Sequence, residues 1–339
     1  MKKSKLARLI AAICCFAMLL TACSSNQTPA ETGGDGSTTA DSEKKVLTYA
    51  IGAETTDLST LYMNNSLYCT SKLVYENLVD FDNGEIVPGL AESWEYNDDQ
   101  TELTFHLRQG VTFHNGEPFN AEAVKTNLEH KQSNPSFYSL KGITDIQEIE
   151  VVDEYTITLH YDHPFYAYLQ DFCWPDVNPM SAPEYIIPGD FQTISGVAGT
   201  GPYIYDEYVA GEYTRFVRNE DYWGETPYWD EIIVKYIPDS TSRLQALQTG
   251  EIDMIYGSTL LTYEEYDQAL AMDGIDGQMA EKDTRVQVIT TNATSPYLSD
   301  IRVRQAIAYA IDKEEMSVAI SNGYEPPADI PATRDTPYA

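Results

Sequence analysis

Residues 103–128 read LTFHLRQGVTFHNGEPFNAEAVKTNL, and the spacing of apolar residues changes within them. Leu103, Phe105 and Leu107 alternate, which places them on one face of a strand over Thr101–Leu107. Asn115-Gly116-Glu117-Pro118 is turn chemistry. Asn120 then stands where its side chain can cap a helix over Ala121–His130. A strand that passes through a turn into a helix within so short a span points to a mixed α/β fold.

The pattern extends in both directions. Val46–Ile51, Glu154–His160, Thr214–Arg218, Glu231–Ile237 and Arg285–Thr290 read as strands. Leu67–Leu78 reads as a helix, with Leu67, Leu73, Val74 and Leu78 at helical spacing. Asp82-Asn83-Gly84 signals a hairpin. In Gly199-Thr200-Gly201-Pro202 the glycines are expected to supply positive φ for a tight reversal before a strand. A helix starts at Asp300, and Val303, Ile307, Ala310 and Ile311 form what is expected to be one buried stripe. Asp312 and Glu315 have the spacing of a helix cap with an acidic third residue. No internal repeat is visible.

The amino terminus carries a different signal. Lys2, Lys3, Lys5 and Arg8 precede the apolar run Leu9–Leu20, which is short for a membrane span. The run ends in Leu20-Thr21-Ala22-Cys23, which resembles the bacterial lipobox. Residues 1–22 are therefore expected to be a lipoprotein signal peptide, with Cys23 lipidated after cleavage. Residues 23–45 are polar and rich in Ser, Thr, Gly and Asp, the composition of a flexible tether spanning roughly 25 Å.

Beyond residue 22 the chain holds 17 basic and 53 acidic residues, a net charge of −36. Such a surface repels nucleic acid and anionic headgroups, which removes polynucleotides as partners. The acids are dispersed, so solubility at a cell surface accounts for them. Cys69 and Cys173 could pair, or each could be a buried small apolar group. His106, His114 and His130 stand apart, and His160 and His163 point to opposite faces of a strand end, so no metal site is expected. No GxSxG, HExxH or GxxxxGK[ST] occurs, and no cofactor or catalytic residue is expected.

Five segments together resemble the extracytoplasmic solute-binding proteins, family 5, of peptide and nickel ABC importers. They are Val74–Trp94 (VYENLVDFDNGEIVPG then LAESW), residues 103–128, and Gly199-Thr200-Gly201-Pro202-Tyr203. The other two are Arg218–Ile255, containing RNEDYWGETP, IPDSTSR and ALQTGEIDMI, and Ser299–Lys313 (SDIRVRQAIAYAIDK). They follow family order across nearly all of residues 46–325. The resemblance implies an α/β, type II periplasmic-binding-protein-like clamp of two lobes. Lobe I would cover 46–284, with an inserted subdomain at about 80–195, and lobe II would begin at 285. Only 55 residues, 285–339, stand for lobe II, so the expectation is a C-terminally truncated chain that by itself binds ligand weakly or not at all.

The resemblance also places the ligand. Tyr62 and Tyr68 follow the first strand, where the first lobe lines its cleft; Phe137 and Tyr138 stand at an aromatic wall; Asn292 begins the second lobe. Core packing is the competing explanation for each aromatic, and Trp94 and Trp223 are read as core or rim. Thr249–Thr262 looks most like nickel-binding members, in which aromatics and arginines hold an anionic chelate. The segment expected to supply one arginine reads Phe172-Cys173-Trp174-Pro175-Asp176, and none is present near Asn134–Tyr138. Trp174 and Asp176 are thus candidate contacts, with a surface loop the alternative for Asp176. A carboxylate attracts an ammonium group and repels a carboxylate-rich chelate. A peptide amino terminus or other cationic solute becomes at least as good a ligand as a nickel chelate.

The implied function is a monomeric solute-binding lipoprotein that captures oligopeptides or metal chelates and delivers them to an ABC permease. Its lipid would hold it on the outer face of the cytoplasmic membrane, or in the periplasm of a cell with an outer membrane. A sensor or adhesin on the same fold is the alternative, and a secreted hydrolase a remote one.

Overall fold

Two sheets with separate apolar cores organise the chain. The computed structural model describes residues 44–330, apart from 56–57, 59–69, 83, 135–136, 138–139, 166, 175–177, 192–194, 258–259, 280–285 and 329. Residues 1–43, and with them the expected signal peptide, Cys23 and most of the tether, lie outside the described residues.

The first sheet has five strands: β1 (Val46–Ile51), β8 (Tyr203–Val209), β9 (Tyr213–Arg218), β10 (Glu231–Tyr236) and β11 (Met254–Ile255). Their order is β11-β1-β10-β9-β8; β1 runs parallel to β10 and β11, while β9 is antiparallel to β8 and β10. On one face Tyr49, Ile51, Phe216, Ile232 and Val234 bury against Val74 and Tyr75, at and just beyond the short helix α1 (Ser71–Val74). On the other, Ala50 meets Ala246 of α5 (Ser240–Thr249). Asp239 caps that helix by accepting from the Ser242 N–H, and Gly250 ends it at φ 70°.

The second sheet is antiparallel, with the order β4 (Ala91–Tyr96), β5 (Glu102–Leu107), β7 (Thr156–Tyr161), β6 (Ile146–Asp153). Its inner face carries Leu103, Phe105, Leu107, Ile157 and Leu159, in one core with Val124 and Leu128 of α2 (Ala121–Ser133). Phe105 meets Phe172 edge to face at 5.3 Å between ring centres. The hairpin β2 (Val79–Asp82)–β3 (Glu85–Pro88) turns at Gly84, whose φ is +88°. Two short helices, α3 (Lys141–Thr144) and α4 (Tyr168–Asp171), complete this part. Later helices are α6 (Tyr263–Leu270), α7 (Ile301–Ala310) and α8 (Lys313–Ser321), the last capped by Asp312 as its spacing predicts.

Four expectations need correction. Within 70–78 the helix is only Ser71–Val74, because the chain turns extended at Tyr75. There the Tyr75 hydroxyl donates to the Leu58 carbonyl, and Glu76 and Asn77 give their carbonyls to Met180 and Leu90 instead of a helix. Residues 286–290 form no strand, and Val288 and Ile289 are 56% and 67% exposed, since none of the described residues offers them a paired edge. Helix α7 exists, but Val303 and Ile307 lie on its exposed surface and none of its residues is buried. Gly199 and Gly201 are not positive-φ residues. They are glycine because the chain passes too close to α1: a Cβ on Gly199 would lie 2.1 Å from the Val74 carbonyl oxygen, and one on Gly201 2.7 Å from it. Of the two readings of Cys173, the structure has the free, buried thiol, pushed up to about 12 by burial, while Cys69 lies outside the described residues.

The two cores meet at Glu76. Its Oε2 accepts from Trp223 Nε1 at 2.7 Å and Thr200 Oγ1 at 2.8 Å, and its Oε1 from the Tyr222 hydroxyl at 2.8 Å. Arg108 stacks over the Trp223 ring at 4.4 Å. Burial holds the Glu76 carboxyl above its ordinary value of 4.5, outweighing the three donors that pull it down. A folded-state pKa above the unfolded one adds stability at low pH, and this gain is lost as pH rises through the folded value.

Glu76→Leu strands three donors and is expected to cost at least about 3 kcal/mol in chemical denaturation. Glu76→Gln can keep all three partners, with its amide donating to Tyr222, and should stay within about 1 kcal/mol of the parent at neutral pH. The parent should then gain stability relative to Glu76→Gln as pH falls toward 4.5; equal slopes would show that Glu76 does not titrate with a raised pKa. Gly199→Ala should cost about 2 kcal/mol or more by driving a methyl into the Val74 carbonyl, read as a lowered denaturation midpoint with unchanged slope.

Candidate ligand-binding site

Helix α2 carries two buried faces. Ala121, Val124 and Leu128 face the second sheet's core, as the apolar spacing predicts. Asn127 and Lys131, one turn apart, are also buried, each 1% exposed. Asn127 Nδ2 donates to the Ala123 and Ser181 carbonyls at 2.9 and 2.8 Å, and its Oδ1 accepts from the Ser181 N–H at 2.9 Å. Lys131 Nζ donates to the Pro179 carbonyl at 2.7 Å. Burial draws this amine down to about 7.

The backbone so gripped ends the loop that carries Trp174. That loop leaves α4, where Asp171 Oδ2 accepts from the Gly142 N–H of α3 at 2.7 Å. Burial raises the Asp171 carboxyl, and the Gly142 N–H offsets part of that rise. Asn178 closes the loop: its N–H donates to the Trp174 carbonyl at 3.0 Å and its Nδ2 to the Asp171 carbonyl. Phe172, Cys173 and Asn178 are buried, yet Trp174 is 53% exposed.

Phe137 follows α2 and is wholly buried with Leu140 and Ile143, which is the core-packing alternative rather than a surface on an aromatic wall. The backbone nevertheless joins its segment to the Trp174 loop: Phe137 N–H donates to Asn134 O, Asn134 N–H to Lys131 O, and Lys131 reaches Pro179. Asn292 is exposed and acts locally, its Oδ1 accepting from the N–H and hydroxyl of Thr294. Tyr62, Tyr68, Tyr138 and Asp176 lie outside the described residues. Trp223 serves the Glu76 network, and Trp94 is a partly buried rim residue on the second core.

Sequence reasoning missed Glu76, Asn127 and Lys131, because a lone polar residue in a helix or at its end reads as solvent-facing. It also missed Arg243, buried at the start of α5, whose Nε donates to the Leu260 carbonyl at 3.0 Å. The histidines are spoken for by ordinary contacts. His114 Nε2 lies 2.9 Å from the Gly201 carbonyl, His160 Nε2 lies 3.0 Å from Glu150, and His130 packs beside Phe191. Among the described residues no three His, Cys, Asp or Glu side chains converge on a point that could hold a metal ion.

The profile of bacterial extracellular solute-binding proteins, family 5 Middle, matches residues 85–339. The nickel-binding periplasmic protein of Escherichia coli (strain K12) is 32% identical over 288 residues, which cover 82% of this chain and 54% of that protein. Heme-binding protein A of Haemophilus influenzae is 30% identical over 284 residues, covering 76% of this chain and 51% of that one. The chain thus spans about half the length of the curated relatives it matches. Among solved structures, NikA from Brucella suis in complex with Fe(III)-EDTA superposes with a TM-score of 0.79 at 32% identity, over 87% of this chain and 60% of that one. The fold is that of the type II periplasmic-binding-protein-like group. The chain belongs to the bacterial extracellular solute-binding proteins of family 5.

Proposed function

We propose that this chain serves as the solute-binding component of an ABC importer, tethered outside the cytoplasmic membrane through a lipid on Cys23, and that its solute presents a cationic group. The lipid reading rests on Leu20-Thr21-Ala22-Cys23 behind a basic, apolar leader and ahead of a polar tether. Relatives named for nickel, heme, glutathione and dipeptides support a small solute without choosing among them. No chemistry on the solute is required. Ligand held between two lobes stabilises the closed clamp by its differential affinity for the two states, and a permease would read the closed form.

The observation that carries the cationic reading is the charge in Phe172–Asp176. A carboxylate at Asp176 follows an indole that stands half-exposed on a buried loop root. An ammonium group can pair with the carboxylate while apolar atoms beside it cover the indole. A peptide amino terminus has both parts. The nickel-chelate reading keeps one support, the match to the nickel-binding protein and to NikA.

The test is thermal unfolding of the chain with di- to pentapeptides, their N-acetylated forms, nickel ion and nickel–histidine chelate. Free-amino peptides should raise the midpoint and their acetylated forms should not. Asp176→Arg should weaken peptide binding roughly 10- to 100-fold, the worth of a charge-assisted hydrogen bond. Stabilisation by the nickel–histidine chelate alone, strengthened by Asp176→Arg, would replace the cationic solute with an anionic chelate.

A further inference from the structure

We propose that Asn127 and Lys131 are positioning residues, a polar clip on one face of α2 that fixes the loop presenting Trp174 to the solute. This rests on the reading that the loop meets ligand.

Three features carry it. First, the clip addresses backbone, not side chains. Asn127 takes both the N–H and the carbonyl of Ser181, as a neighbouring strand would, and Lys131 takes the carbonyl of Pro179. These bonds set the path of residues 179–181 whatever side chains the loop carries. Second, the other end of the loop is pinned independently by Asp171 on the Gly142 N–H and by Asn178 on the Asp171 and Trp174 carbonyls. The loop is held at both roots, with Phe172, Cys173 and Asn178 buried, and Trp174 between them carries a half-exposed indole. Third, a buried ammonium is a poor way to stabilise a core. Its desolvation opposes folding, and an apolar side chain of like length would pack there at lower cost. What the amine supplies is a directed hydrogen bond to a carbonyl that would otherwise be stranded, and therefore geometry.

The same amine gives the clip a readable signature. Burial is the sole cause of its depressed pKa, near 7. The other titratable side chains of α2 are Glu122, Lys125, Glu129 and His130; nearby in the chain segments it grips are Asp171 at the end of α4, held by Gly142, Cys173, whose thiol is pushed up to about 12, and Glu184 just beyond Ser181.

The experiment uses the full-length chain labelled with 15N at its four tryptophan indoles, with Trp174→Phe assigning the Trp174 resonance. Lys131→Met keeps the bulk of the side chain and removes the donor. The Trp174 resonance should move or broaden in Lys131→Met while the other three stay, and Lys131→Gln, which retains a donor, should restore part of the shift. In the parent the Trp174 resonance should drift with pH with a midpoint near 7, a drift that persists in His130→Gln and vanishes in Lys131→Met. Binding of a free-amino tripeptide should fall at least 10-fold in Lys131→Met. Should Lys131→Met fail to fold, Asn127→Ser carries the same indole readout. A Trp174 resonance that is unmoved in folded variants of both residues overturns the clip. A moved resonance with unchanged affinity for both the tripeptide and nickel–histidine chelate leaves the loop positioned but overturns its role as a ligand surface.

Discussion

The carboxylate of Glu76 is the point on which the two halves of the fold depend. It lies between Val74 and Tyr75, which bury against the five-stranded sheet, and Leu78 and Val79, which bury in the core of the four-stranded one. A short polar link between two apolar cores is exposed to a particular failure. Each core can satisfy itself while the angle between them drifts. Three donors from two distant segments, Thr200 and Tyr222–Trp223, converge on one buried carboxylate and remove that freedom. In a low-dielectric junction each of those bonds is strong when made and costly when lost, so the junction has one satisfied arrangement. The backbone of Glu76 adds a fourth tie, its carbonyl accepting from Met180, so the same residue also anchors the far end of the Trp174 loop.

The candidate site inherits its geometry from that junction. Met180 is fixed by Glu76, Ser181 by Asn127 and Pro179 by Lys131, so three consecutive residues are held by three separate groups. Helix α2 can do this because its apolar stripe already commits one face to the second core. With the helix axis fixed by packing, an adjacent face is free to carry polar groups at defined heights, one turn apart. A loop positioned by a helix in this way can present an exposed aromatic without collapsing onto it.

Most of the fold was legible from alternation and capping. The strands around Leu103–Leu107 and Glu231–Tyr236 formed where their periodicity placed them, and Asn120 and Asp312 cap as their spacing implies. The failures share one cause, which is that local pattern does not report what lies across space. The helix over Leu67–Leu78 gives way at Tyr75 because the carbonyls of Glu76 and Asn77 are taken by the N–H groups of Met180 and Leu90, far along the chain or in the next hairpin. The glycines of Gly199-Thr200-Gly201 were assigned to a backbone angle when the reason is crowding against Val74. Of the candidate contacts, Trp174 was named from the resemblance of its segment, and the structure adds only that it is 53% exposed. Lys131 was not named, since a lysine on a helix is almost always solvated.

Charge completes the physical picture of ligand capture. Beyond residue 22 the chain carries 53 acids against 17 bases, a net charge of −36 that makes the field around it negative on average. That field concentrates cationic solutes near the surface and depletes anionic ones before any contact is made, and salt weakens both effects. A nickel chelate rich in carboxylates would approach against this field. A free amino terminus would be drawn in by the same field. The long-range field therefore enriches positively charged solutes at the surface, whichever residues then hold them.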